Sequence, residues 1–127
     1  MPYVADGEAF DRSLLDLDAL AGDLGPPPWR SCLVGTSALR VMLLHWPAGY
    51  SSVPHVHPAA EEIFRVIRGR AFFTIGDEPE GEVGPGDFMF ARRGVRHAIR
   101  VPDAESLLFL AAVAPNEDHP DETIELA

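Results

Sequence analysis

His55 and His57 stand two residues apart between Pro54 and Pro58, and Glu62 follows after a short turn. In an extended chain, side chains repeat every second residue, so both imidazoles point the same way. The flanking prolines favour extended backbone and a bend just after it. Glu62 opens the apolar run Ile63, Phe64, Val66, Ile67, which reads as a buried strand. Two imidazoles on one face, with a carboxylate in reach, make a nitrogen/oxygen metal site. The segment has no thiolate, so a hard or borderline divalent metal is favoured over a structural zinc clip. A third imidazole comes later, where residues 86–97 read as turn, strand, turn and a strand that starts at His97.

These two segments resemble the two conserved motifs of the cupin superfamily. The first motif runs Gly, five residues, His, one residue, His, three or four residues, Glu, six residues, Gly. Gly49, His55, His57, Glu62 and Gly69 match it in full. The second runs Gly, five residues, Pro, one residue, Gly, two residues, His, three residues, Asn. Gly86, Gly94 and His97 match it, while Arg92 stands in place of Pro and Val101 in place of Asn. Between Glu61 and Glu62 the motif selects Glu62, and Glu61 then points away, because adjacent strand residues face opposite sides. The resemblance implies a small jelly-roll β-barrel, a double-stranded β-helix, with His55, His57, Glu62 and His97 as ligands of one divalent transition metal. Iron, nickel or copper there would allow oxygenase chemistry; manganese or zinc would act as a Lewis acid in isomerase, lyase or hydrolytic steps. The expected function is a metal-dependent enzyme on a small molecule such as a diol, enediol or keto acid, of dioxygenase or isomerase type. The alternative is a non-catalytic module that binds or senses a small ligand in a metal-containing pocket.

Three further residues carry chemistry of their own. His45 ends an apolar strand just before the first motif. It is a candidate general base at the cavity, or else a core histidine with a backbone partner. Arg92 and Arg96, with Arg93, cluster in the turn before His97. Arg pairs with carboxylates bidentately, so Arg92 or Arg96 is a candidate for binding an acidic substrate; a solvated turn is the plainer reading. His119, in the acidic tail, reads as solvated.

Strands must position these side chains. Candidates cover residues 30–34, 38–46, 62–67, 70–75, 82–83, 88–91, 97–101 and 106–113, separated by Gly/Pro turns. The runs 38–46 and 107–113 are apolar on both faces, which marks strands buried on both sides. This pattern is all-β, an antiparallel sandwich or barrel. The expected organisation is an arm at 1–28, a barrel at 29–115 and an acidic tail at 116–127. In the arm, Leu14, Leu17, Leu20 and Leu24 could line a short helix with Asp16 as N-cap, or the alternation around Leu15 and Leu17 could form a strand.

The 127 residues carry 10 basic and 20 acidic side chains, a net charge of −10. The excess acidity sits in the two ends, so a nucleic-acid groove is not expected. Every basic residue is Arg, which excludes Schiff-base chemistry on Lys. The single Cys32 excludes an intramolecular disulfide and fits a reducing compartment. With no long apolar stretch and no basic, apolar leader at the N-terminus, a cytoplasmic protein is expected, without a membrane partner. A homodimer is expected too, because the barrel alone leaves sheet edges that an arm could cover on a neighbour.

Overall fold

The computed structural model describes residues 14–116 and 124–125. The first half of the arm, and the tail segment with His119, lie outside the described residues. The elements in chain order are α1 (Leu17–Leu24), β1 (Trp29–Gly35), β2 (Arg40–Trp46), β3 (His55–Val56), β4 (Glu61–Arg68), β5 (Ala71–Ile75), β6 (Gly81–Val83), β7 (Phe88–Ala91), β8 (His97–Arg100), β9 (Leu107–Ala114) and β10 (Ile124–Glu125).

Of the two readings of the arm, the helix is the one that forms. Asp16 keeps an extended backbone, and its carboxylate accepts the Ala19 N–H at 3.0 Å, satisfying one of the orphan donors of the first turn. Gly25 ends the helix at φ 80°, and its N–H returns to the Ala21 carbonyl at 3.1 Å. The leucines of α1 then lie against Trp29, Leu33, Leu43 and Leu108. Trp29 locks the corner by donating its indole N–H to the Gly25 carbonyl at 2.9 Å.

Two five-stranded antiparallel sheets face each other. One has the order β1-β2-β9-β4-β7 and the other β10-β3-β8-β5-β6. The barrel core lies between them, with Trp46, Phe64, Phe73, Met89, Ile99 and Phe109 among its buried members. β2 and β9 are neighbours in the first sheet, and that explains their apolar runs: even-numbered Met42, Leu44 and Trp46 fill the barrel, while Leu43 packs under α1. The expected all-β jelly roll is therefore the observed architecture. Among the described residues no helix is long and apolar enough to cross a membrane.

Two features differ from the sequence reading. The metal-motif strand β3 is only two residues long, since Pro54 and Pro58 have no N–H to extend a ladder on either side. The acidic tail, where the sequence marked no strand, contributes the backbone of β10, which pairs antiparallel with β3 through Ile124↔Val56 and Glu125↔His55. Gly69, the last glycine of the first motif, turns β4 toward β5 at φ 95°, and a Cβ there would run into the Ser106 carbonyl oxygen.

The same parity in β2 places His45. It shares the outward face with Leu43, packs edge-on against Trp29 with ring centroids 5.3 Å apart, and meets the Ser106 hydroxyl at 3.0 Å through Nε2. Of its two sequence readings, a cavity base or a core histidine, the placement is that of the second, because a side chain one residue before inward-facing Trp46 leaves the sheet on the other side. Burial lowers its proton affinity, as does the Arg68 charge, against a smaller opposing effect of the Gly25 carbonyl. A His45→Leu variant should lose about 1 kcal/mol of stability, by breaking one part-buried hydrogen bond, and keep its full metal content. Denaturant unfolding and elemental analysis check this; loss of metal would return His45 to the site.

Candidate metal centre

β3 and β8 pair through a single register match, His55↔His97, which puts two imidazoles side by side on the inner face. His57 follows β3, and its carbonyl accepts the Gly94 N–H at 2.9 Å, tying the post-β3 loop to the turn before β8. Gly94 makes that turn at φ 74°. Glu62 comes from the facing sheet. Along β4 exposed and buried residues alternate, so Glu61 faces solvent while Glu62 faces inward at 6% exposure.

The four side chains meet. One donor atom from each of His55, His57, Glu62 and His97 lies within 4.8 Å of the others, a group that can hold a metal ion. The rings of His55 and His97 are 4.3 Å apart between centroids, and those of His57 and His97 are 5.4 Å apart and stacked. One carboxylate oxygen, Glu62 Oε1, lies 2.9 Å from His57 Nε2 and 3.2 Å from His97 Nε2. Burial alone would raise the Glu62 carboxyl. Hydrogen bonds and charge from His57 and His97, which those rings give when they carry a proton on Nε2, outweigh it and bring the group down to about 2, so Glu62 is ionised at any physiological pH. Burial holds His55 below the ordinary imidazole range, so it stays neutral as a ligand must.

The backbone sets the tautomers. His55 Nδ1–H donates to the Val53 carbonyl at 2.9 Å, and His97 Nδ1–H donates to the Val95 carbonyl at 3.2 Å. Each bond fixes its ring and turns a bare Nε2 toward the cluster. For neutral His97 this leaves the Nε2 lone pair facing a carboxylate oxygen, two acceptors at 3.2 Å. Such a contact is repulsive unless a positive charge lies between them. The donor set therefore fits a divalent cation, with three imidazole nitrogens and one carboxylate oxygen.

Sequence reasoning found the four donors but not the Val53 and Val95 carbonyls. Each lies two residues before a histidine, and no side-chain type marks a backbone acceptor. Arg92 and Arg96 stand apart from the cluster. Arg96 is exposed, and its carbonyl accepts the Gly76 N–H at 2.8 Å. Arg92 lies over the Phe90 ring, 5.7 Å from its centroid, and lines a cavity of 340 Å³ shared by β5, β6 and β7.

Comparison with known proteins follows the same lines. Dimethylsulfoniopropionate lyase DddQ of Ruegeria pomeroyi is 36% identical over 78 residues, which make up 57% of this chain and 38% of the relative. This chain thus spans well under half the length of that relative. The crystal structure of the same lyase superposes with a TM-score of 0.65 at 29% identity, over 76% of this chain and 50% of that one. An uncharacterized double-stranded β-helix protein of Klebsiella pneumoniae shares the fold, with a TM-score of 0.76 at 23% identity over 92% of this chain and 99% of the other. The model of the cupin domain matches residues 42–113, from within β2 to within β9 and across all four clustered side chains, and the chain belongs to the cupin domain family.

Proposed function

We propose that this cupin is a metal-dependent enzyme acting on a small organic acid, by lyase or isomerase chemistry. The observation that carries the reading is the buried convergence of His55, His57, Glu62 and His97, with two rings oriented by backbone carbonyls. The similarity to a dimethylsulfoniopropionate lyase supports a lyase over a dioxygenase. A bound ion would supply Lewis acidity to a substrate oxygen. The chain's own residues hold the ion, keep the ligand rings in one tautomer, and wall the cluster with Phe64, whose ring lies 5.6 Å from that of His97. Metal-loaded protein should consume dimethylsulfoniopropionate or a keto acid, followed by proton NMR, without taking up oxygen. Stoichiometric oxygen uptake would restore the dioxygenase reading. The outward direction of His45, the one general base named from sequence, favours the non-catalytic binding module as second reading; turnover of no acid in the panel would select it.

Metal retention tests the ligand set. His97→Ala and His57→Ala proteins should each purify with less than about a tenth of the wild-type metal, since removing one ligand of four exceeds the 10–100-fold cost of losing a supporting residue. A metal-replete His57→Ala protein would sink the assignment.

The pH dependence has a definite sign. Glu62, with its folded pKa depressed, stays ionised until pH approaches about 2, so it does not limit metal binding in mild acid. The imidazoles do: a ligand ring must be neutral, and protons compete with the metal for it as pH falls. Chelation should therefore lower the melting temperature strongly at pH 7.5 and much less near pH 5, where metal is already lost. Equal shifts at both pH values would show that these residues do not form the metal site.

A homodimer belongs to the same proposal. α1 covers the outer face of the first sheet at β1 and β2, whereas Ile63 on β4 and Phe88 on edge strand β7 are 43% and 67% exposed. A second copy is the occupant proposed for that face. Light scattering should give twice the chain mass at micromolar concentration, and a monomer would end the idea.

A further inference from the structure

The 340 Å³ cavity lies between the two sheets, where β5 and β6 face β7. Phe73, Ile75, Val83, Met89 and Phe90 give it apolar patches within a lining that is about as polar as apolar. It adjoins the histidine cluster. Ile75 is the direct register partner of His97, and two residues opposite each other in an antiparallel pair present side chains on the same face. One Ile side chain thus faces both the cavity and the ligand strand. On the other sheet, Ala91 is the register partner of Glu62, while Arg92, just past the end of β7, turns away from the cluster and lies over the Phe90 ring.

Two charged residues, both exposed, line the rim of this space. Arg92 follows β7, and Glu78 lies in the turn after β5, on the other sheet. Among the described residues neither side chain makes an ion pair, although Arg70 with Glu82 and Arg100 with Glu80 do so close by. A guanidinium and a carboxylate left unpaired beside a cavity are available to a ligand. The aromatic face of Phe90 beneath Arg92 shields the guanidinium from water on one side.

We propose that Arg92 and Glu78 make this cavity a selector for monocarboxylates with an apolar body. Arg92 takes the carboxylate through paired N–H donors, the Phe73 and Phe90 walls take the body, and Glu78 disfavours a second negative charge. The proposal rests on the metal-dependent reading only for what happens at the neighbouring cluster; the charge preference belongs to the cavity itself. A pocket without a cation disfavours an acid relative to its neutral amide, so a preference for the acid reports a positive charge beside the body, and Arg92→Gln decides whether that charge is Arg92.

The test uses the full chain, with metal content measured on each sample. Wild type, Arg92→Gln and Glu78→Gln proteins are titrated calorimetrically with 3-phenylpropanoate, its neutral amide 3-phenylpropanamide, and benzylmalonate. Wild type should prefer the acid over the amide by about ten-fold or more, the typical strength of a charge-assisted hydrogen bond. Arg92→Gln should erase that preference while leaving metal content and melting temperature unchanged. Glu78→Gln should tighten benzylmalonate binding several-fold and leave 3-phenylpropanoate alone. An acid preference that survives in Arg92→Gln would assign the carboxylate to the cluster and overturn the proposal, as would wild type binding acid and amide equally. Unchanged benzylmalonate affinity in Glu78→Gln would overturn the role of Glu78. A wild type devoid of metal would overturn the metal-dependent reading instead, and the same titrations would still decide the charge preference.

Discussion

Glu62 is a carboxylate at 6% exposure with two imidazole nitrogens on one of its oxygens. A buried anion with no compensation is among the most costly things a fold can contain, and three imidazoles crowded around it are of little help while neutral. The arrangement suits a cation: the carboxylate keeps its charge, and the neutral rings keep their nitrogen lone pairs available. Much of the rest follows from having to hold these four groups together. Two of these groups come from β3 and its continuation, one from β8 beside it, and one from β4 on the opposite sheet. Only a closed double sheet brings those segments to one point.

The period of two along each strand does the sorting. In β4 it sends Glu62, Phe64 and Val66 into the barrel and Glu61, Ile63 and Arg65 out. In β2 it sends Trp46 in and His45 out. A single step along the chain thus separates residues that could meet a ligand from residues that support a helix. β2 and β9 serve both surfaces, so the outer leucine cluster and the inner aromatic core share one pair of strands and stand or fall together.

That sorting also explains what could be read in advance. His55, His57, Glu62 and His97 were legible because metal chemistry needs particular side chains at particular spacings, and the strand period preserves those spacings. Gly69 and Gly94 were legible because positive φ is most easily met by glycine. His45 was ambiguous because a strand apolar on both faces has no marked inside; only the packing of α1 decides which face is which. The Val53 and Val95 carbonyls were invisible because every residue has a carbonyl. The pairing of β10 with β3 left no trace in an acidic tail, since backbone ladders ask little of the side chains they carry.

The single register match between β3 and β8 has a consequence for the chain as a polymer. His55 and His97 bound the stretch that holds β4, β5, β6 and β7, and they pair directly with each other across it. An ion gripped by both residues would close that stretch into a ring, with Glu62 as a third tether inside it. The lost freedom of the open chain is the same quantity a disulfide removes, and it grows only slowly with ring size. Cys32, alone in the sequence, cannot provide such a link. With an ion held there, the link would be reversible, drawing its strength from the concentration of that ion in the surroundings and from acidity, not from redox state.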